Sequence, residues 1–437
     1  IVRKYSDHIS YPVKLHEIDK KDAEIKTLNE ASALWTRPAK DIKEEQYQEF
    51  FSHIGAGFGK PLLTMHNNTE GTISYTNLIC IPSTRPFDLF NPDRKSSLKL
   101  YINRVFITDK CDALIPSYLR FIKGLVDTQD IDLNVSREML QNNPAVAKIS
   151  KSLVGKILRE LKKVSEKNAD GYKSFWKEYG AVLKEGLYED AERKEALLDL
   201  CRFSTNENDD PISLSGYVEK MPEKQKDIYY ISAETKDQAL ASPHLEGFKS
   251  KKIPVLIMTD AIDQFWLPMV GSFKEKKFTS ITQGQINLDD LDEKNKDKKK
   301  DDKNEKEKKD KEYVDLVAQL KVVLGDQVKD IRLSSKLTDS PVCLVADEGD
   351  MDIAMEQLMA QRDTNYKGAP RILEINGDHS LIKNMKSLLS KKENNDLVSD
   401  AGTLLFEQAR LMEGKMPADP AQFSKIMNQF LLKAIPN

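Results

Sequence analysis

Short runs of alternating apolar and polar residues dominate the first 130 positions. "GTISYTNLICIP" (71–82) alternates and then becomes continuously apolar, and "LKLYINRVFIT" (98–108) is apolar at almost every second position. Such alternation is typical of strands with one buried face. The opening stretch "IVRKYSDHISYPVKL" (1–15) also alternates, and we predict a strand there.

Further along, apolar residues recur every three or four positions instead of every second position, which predicts an amphipathic helix. The residues that carry this period are Ile149, Leu153, Ile157, Leu161 and Val164. Beyond it, the apolar runs 227–232 and 253–259 flank a helical stretch around 236–248. Strand, helix and strand at this spacing predict a parallel crossover.

A long charged run divides the chain near residue 300. Residues 289–312 contain one apolar residue, and too little apolar surface is available there to offset the entropy of ordering. Acidic residues alternate with lysines, which favours a solvated linker over a basic patch for nucleic acid. We therefore predict a flexible charged linker at this point.

The chain ends in helices with a wide apolar stripe. Asp419 can cap the last helix, Pro420 suits its first turn, and residues 396–412 form the preceding helix. This surface exceeds what a small domain can hide, so we predict a two-fold homodimer, with helices that cover only their own domain as the alternative. The predicted interface residues are Leu404, Leu405, Ala409, Phe423, Ile426, Met427, Phe430 and Leu431.

Together these elements predict an α/β (α+β) protein: two mixed α/β units linked by helices, followed by a mixed C-terminal dimerisation domain that ends in helices. At 437 residues the chain suits about three domains. The predicted boundaries are 1–165 for the first unit, 166–288 for a helical connector and the second unit, 289–312 for the linker and 313–437 for the last domain.

Charge and composition exclude several classes of protein. Lys and Arg number 67 against 70 acidic residues, so nothing argues for a nucleic-acid partner. No apolar run reaches the length of about 18 residues that a membrane helix needs. The chain starts at Ile1 without a signal peptide, and we expect a fragment that lacks its N-terminal part. The four dispersed cysteines and six histidines suggest reduced cytosolic thiols and no metal site.

Common enzyme motifs, such as a Walker A loop or a zinc-binding HExxH, are missing from the sequence. The best candidate for chemistry is the polar stretch "IDLNVSREMLQNN" (131–143), where Arg137 could bind a phosphate in a fork and Gln141 could donate to the same oxygens. The alternative is a structural arginine at a helix start, paired with a nearby carboxylate. From these residues alone, both remain open.

At this stretch the sequence resembles the heat shock protein 90 chaperones of the bacterial HtpG type. "LWTRPAKDI" (34–42), "RPFDLF" (85–90), "LIPSYLRFIKGLVDTQDIDLNVSREMLQ" (114–141) and "LGDQVKDIRLSSKLTDSP" (324–341) look like family segments in the family's order. The resemblance covers the middle and C-terminal domains and lacks the N-terminal ATP-binding domain.

The resemblance implies an ATPase whose ATP and Mg are held by that missing domain. Arg137 matches the arginine that contacts the γ-phosphate, Gln141 matches a neighbouring glutamine, and Phe106 matches an aromatic residue at the interdomain contact. This chain alone would bind no cofactor and hydrolyse no ATP. Asp132 stands where the family usually has Pro, so the resting position of the loop is an open question.

The resemblance also implies partners: a second copy of the chain, non-native client proteins and other chaperones, in a bacterial cytoplasm or, as the alternative, an organelle. Trp35 matches a tryptophan near the client surface, and "MDIAMEQLMAQR" (351–362) resembles a helix that faces the cleft between protomers. The predicted client-binding residues are Trp35, Met351, Ile353, Met355, Leu358 and Met359. The rival function is a holdase or scaffold that works without nucleotide.

Overall fold

The computed structural model describes residues 1–16, 25–55, 60–91, 97–109, 111–132, 140, 142–208, 210–288, 299–363, 366, 368–390 and 395–435. The chain divides into two compact units, Ile1–Cys201 and Arg202–Asn437. Both units combine helices with sheets, so the predicted mixed α/β class is confirmed. Among the described residues, no helix has the length and apolar character needed to cross a bilayer.

A five-stranded sheet organises the first unit. Its strands are β3 (Leu63–Thr69), β4 (Tyr75–Ile81), β5 (Ser97–Ile102), β6 (Val105–Thr108) and β7 (Lys123–Thr128). The order is β3-β4-β7-β5-β6, and β5 and β7 are its parallel pair. Gly124 in β7 has a φ of 133°, and a Cβ there would lie 2.2 Å from the carbonyl oxygen of Leu78. Only glycine therefore permits β7 to lie this close to β4.

Helices complete the first unit: α1 (Val2–Tyr5), α2 (Glu44–His53), α3 (Pro144–Lys167), α4 (Ala169–Glu189) and α5 (Lys194–Leu200). The helix predicted from the lengthened apolar period is α3. Its N-terminus is capped by the Asn143 side chain, which accepts the N–H of Ala145 at 2.8 Å. The predicted apolar stripe of α3 is buried at Ile149, Leu153, Ile157 and Leu161, and Val164 is half-buried.

The strand predicted for residues 1–15 is wrong. Val2–Tyr5 forms the single helical turn α1, and only β1 (Lys14–Leu15) pairs as a strand, with β2 (Lys26–Thr27). A short alternating run fits one helical turn as well as a strand, and tertiary contacts decide between them. Here the Tyr5 ring packs against the Phe106 ring, with 6.0 Å between the ring centroids.

The second unit begins with a six-stranded sheet, in the order β12-β13-β10-β11-β8-β9. Its strands are β8 (Arg202–Thr205), β9 (Ile212–Ser213), β10 (Ile228–Ser232), β11 (Leu256–Met258), β12 (Ser272–Phe273) and β13 (Lys276–Ser280). Its helices are α6 (Leu214–Lys220), α7 (Lys236–Leu240), α8 (Glu246–Ser250) and α9 (Asp263–Val270). Strands β10 and β11 are parallel and joined through α7 and α8, so the predicted crossover is confirmed.

The rest of the second unit packs helices on a three-stranded sheet. The sheet has the order β14-β16-β15, with β14 (Val328–Leu333), β15 (Val342–Val345) and β16 (Arg371–Ile375). The helices are α10 (Lys299–Leu324), α11 (Ile353–Arg362), α12 (Ser380–Leu389), α13 (Asn395–Met412) and α14 (Pro420–Ala434). A hydrophobic core joins α10, α12 and α13 to the sheet, through residues such as Leu320, Leu373 and Leu405.

Of the linker predicted at 289–312, residues 289–298 lie outside the described residues, and residues 299–312 belong to α10. Lysine and glutamate favour helix, and the buried Tyr313, Leu316 and Leu320 hold the following turns against the core. Lys309 forms an ion pair with Asp378 at 2.6 Å, and Glu312 one with Lys386 at 2.8 Å. The predicted end of this helix before Gly325 is confirmed, and Gly325 has a φ of 51°.

Candidate functional site

The loop between β7 and α3 carries the candidate phosphate ligands. Arg137 and Gln141 both lie outside the described residues, so their roles remain predictions. The described residues beside the loop are anchored. The Thr128 hydroxyl donates to the Ser74 carbonyl at 2.8 Å, and Leu140 is 2% exposed. Asp132, the departure from the family pattern, is exposed.

Phe106 lies on the edge strand β6 and takes part in an aromatic cluster. Its ring centroid is 5.6 Å from that of Tyr101, in an edge-to-face arrangement, and 6.0 Å from that of Tyr5. The side chain is half-buried, so part of its surface remains accessible. The predicted interdomain contact of Phe106 stays a prediction.

Trp35 lies in the interior and not on a client surface, which corrects the expectation for this residue. It is 3% exposed, and its indole N–H donates to a carboxylate oxygen of Asp127 at 2.8 Å. Its ring packs against Tyr101, at a centroid distance of 4.9 Å. Burial raises the pKa of Asp127, although the indole N–H and the backbone N–H of Arg104 act in the opposite direction.

Most of the methionine-rich segment forms α11, which begins at Ile353, and Met351 and Asp352 directly precede the helix. The Asp352 carboxylate accepts the backbone N–H of Ala354 at 2.9 Å and caps the helix. Met351 is 40% exposed, whereas Ile353 is buried at 8%. The remaining predicted client-binding residues, Met355, Leu358 and Met359, are half-buried. The helix therefore has a partly accessible apolar side, and its first residue, Ile353, is buried in the unit.

An open cleft of about 630 Å³ runs beside α11. Charged side chains from three elements line it: Glu356 of α11, Arg371 of β16, Arg410 of α13 and, beyond α13, Glu413 and Lys415. Helix α11 supplies part of the wall through Glu356 and Gln357.

Charged side chains that line the cleft contact α11 and the residues directly before it. Arg371 pairs with Glu356 and donates to the Met351 carbonyl at 2.9 Å, directly before the helix. Lys415 lies 3.7 Å from a Glu356 oxygen and 3.4 Å from a Glu413 oxygen. Burial raises the pKa of Glu413 and lowers the pKa of Arg371. Sequence reasoning missed this cluster because its residues are far apart and follow no spacing rule.

The predicted dimer-interface residues fall into two groups on the hairpin of α13 and α14. Leu405, Ala409 and Ile426 are buried within the chain itself, which corrects the expectation that these three are available to a partner. Leu404, Phe423 and Phe430 are half-buried. Met427 and Leu431 are 40% and 49% exposed, and the neighbouring Leu432 and Ile435, absent from the prediction, are 77% and 70% exposed.

Comparison with known proteins decides the family. The family model described as Hsp90 protein matches residues 14–436, nearly the whole chain. The chain belongs to the Hsp90 family. This confirms the resemblance inferred from the ordered sequence segments.

Relatives of this Hsp90-family chain include bacterial chaperones. The chaperone protein HtpG of Roseobacter denitrificans is 45% identical over 437 residues, which is 100% of this chain and 68% of that protein. The protein of the same name from Paramagnetospirillum magneticum is 46% identical over 435 residues, 100% of this chain and 69% of its own length. That of Wolbachia pipientis wMel is 42% identical over 99% of this chain and 68% of its own length.

Proposed function

We propose that this Hsp90-family chain is the middle and C-terminal part of an ATP-dependent chaperone that binds non-native client proteins in a bacterial cytoplasm. The observation that carries the proposal is 45% identity, over the whole chain, with a protein named chaperone protein HtpG. Clients and other chaperones are the proposed partners, together with a second copy of the chain.

The proposed client surface is the accessible side of α11 together with Met351, two residues before the helix. Flexible methionine side chains adapt to apolar segments of varied shape, which suits a surface that binds many sequences. Met351 is the most exposed of the predicted client-binding residues, and Met355, Leu358 and Met359 extend the surface along the helix. Trp35 is not part of this proposal, because it is buried and hydrogen-bonded.

The proposed cofactors are ATP and Mg, held by an N-terminal domain of the family type. Arg137 would contact the γ-phosphate and stabilise the charge that develops on it, and Gln141 would donate to the same oxygens or orient a water. By itself the chain is expected to hydrolyse no ATP, because a single arginine cannot hold the nucleotide. Phe106 would contribute to the contact with the ATP-binding domain through its accessible edge.

The test of client binding is suppression of aggregation of a thermally unfolding model protein. Met351→Glu is expected to weaken suppression severalfold, because a charge on the apolar side of α11 opposes contact with apolar segments. Met269→Glu is the matched control, since Met269 is 60% exposed and belongs to α9, not to the proposed surface. Equal suppression by both variants, at the level of the unaltered chain, would remove α11 from the proposal.

A further inference from the structure

A group of three potential metal ligands lies in the first unit, outside every surface discussed above. Asp7, His8 and Glu30 each offer one ligand atom, and these atoms all lie within 4.8 Å of one another. Sequence spacing could not reveal the group, because Glu30 is more than 20 positions from the other two. It combines one imidazole with two carboxylates, a donor set that suits Zn²⁺ and similar divalent ions.

One ring nitrogen of His8 is bonded to the backbone, as is common in metal-ligating histidines. Its Nδ1 lies 2.8 Å from the Ser32 carbonyl oxygen. A carbonyl only accepts, so Nδ1 carries a hydrogen, and in the neutral ring Nε2 then carries the lone pair. Binding one ring nitrogen to a backbone carbonyl fixes the ring and makes the other nitrogen a better ligand. The ring itself rests edge-on against Trp35, with 4.8 Å between the ring centroids.

Backbone hydrogen bonds hold together the two segments that supply the ligands. Asp7 accepts the N–H of Glu30 at 3.1 Å through its side chain and the N–H of Ala31 at 3.0 Å through its carbonyl. The buried Asn29 donates to the Ser6 carbonyl at 3.3 Å and accepts the Val13 N–H at 2.7 Å. The ligands are thus preorganised, which lowers the entropic cost of binding an ion.

The charge of the group also favours a cation. One carboxylate oxygen of Asp7 and one of Glu30 lie within 4.8 Å of each other, so two negative charges are close together. Ligand bonds of about 2.0–2.2 Å require the three ligand atoms to lie closer together than they do here. Side-chain rotations that move these atoms by roughly 1 Å can bring them together. Glu30 is exposed and free to make this adjustment, and water can complete the coordination.

We propose that Asp7, His8 and Glu30 form a site for one divalent transition-metal ion, with Zn²⁺ as the best match. The ion would cross-link the segment that follows α1 to the segment that follows β2. The proposal is independent of the chaperone function above. No part of the ATP or client chemistry passes through this site.

Isothermal titration of the metal-free chain, without an affinity tag, with ZnCl₂ tests the site. We expect one Zn²⁺ per chain, and His8→Ala and Glu30→Gln should each weaken the affinity at least tenfold. The matched control is His53→Ala, because His53 is an exposed histidine at the end of α2 and should leave binding unchanged. Glu30 does not pack against Trp35 in this way, so Glu30→Gln tests the site even if His8→Ala disturbs the packing of Trp35.

A second readout locates the ion. Co²⁺ bound to His8 would lie close to Trp35 and should quench its fluorescence, so Trp35→Phe should lose most of the Co²⁺-dependent quenching while retaining Zn²⁺ binding. No stoichiometric binding by the unaltered chain, or full binding by Glu30→Gln and His8→Ala, would overturn the proposal. So would quenching that persists in Trp35→Phe.

Discussion

Individual residues such as Asp127 and Gly124 determine which groups can pack in the interior of this molecule. Trp35 is buried because Asp127 accepts its indole N–H, and a buried N–H without a partner would cost about 1–3 kcal/mol. Gly124 has a similar effect on the backbone, since any side chain there would meet the Leu78 carbonyl. Both contacts join positions that are distant in sequence, so neither can be predicted from local pattern.

Glu413 gives a prediction about pH. Its carboxylate is buried beside the cleft, and burial raises its pKa above the ordinary 4.5 even though Lys415, Arg371 and Arg410 act to lower it. The unfolded chain therefore releases this proton at a lower pH than the folded chain. The Glu413 contribution to the free energy of unfolding must then fall as the pH rises from about 4.5 through the folded-state pKa.

The variant Glu413→Gln removes this titration and keeps the shape of the side chain. Urea unfolding of both proteins between pH 4 and pH 8 should show the unaltered chain losing stability relative to Glu413→Gln as the pH rises. The exposed Glu348→Gln serves as the control and should run parallel to the unaltered chain. A stability difference that is constant with pH, or that changes in favour of the unaltered chain, would contradict the raised pKa.

At the scale of elements, long periodic segments were predictable and short or charged ones were not. The period of α3 and the cap of α14, where Asp419 accepts two backbone N–H groups at 2.9 and 3.0 Å, follow directly from the sequence. The turn at α1 and the helical residues 299–312 were not predicted. Tyr5 contacts the distant Phe106, and the buried Tyr313 holds the turns that follow residue 312 against the core. Local pattern does not contain those tertiary contacts.

We expect two protomers to dimerise through the exposed side of α14. Met427, Leu431 and Leu432 of α14, and Ile435 directly after it, are all at least 40% exposed, and this much apolar surface favours a partner. A carboxylate in the middle of such an interface is strongly disfavoured. Leu431→Glu should therefore weaken dimerisation at least tenfold in sedimentation velocity at micromolar concentration.

Gln429→Glu, an exposed change of the same charge on the same helix, is its control and should stay dimeric. If Leu431→Glu sediments as the unaltered dimer does, α14 is not the main contact. Equal dissociation of both variants would point to charge alone and not to the apolar side of the helix.

At the scale of the whole molecule, the sequence was sufficient for the family and the fold class but not for the accessibility of the candidate sites. The ordered segments around 114–141 and 324–341 indicated the Hsp90 family, which the match over 14–436 confirms. The exposure of individual side chains was harder to predict from the sequence. Trp35, Leu405 and Ala409 are buried, although the residue type of each also suits a surface role. Which face of an element meets its neighbours depends on the assembled core, and apolar residues suit both a core and an interface.

We propose that this chain completes an ATPase through Arg137 when the family's N-terminal domain is present. The direct measurement is ATP hydrolysis by the chain joined to the N-terminal domain of an HtpG relative, with and without Arg137→Ala. The control is Arg159→Ala, an exposed arginine on α3. We expect no hydrolysis by the chain alone, at least a tenfold loss of rate with Arg137→Ala in the joined protein, and an unchanged rate with Arg159→Ala. Hydrolysis by the isolated chain, or an undiminished rate with Arg137→Ala, would contradict it.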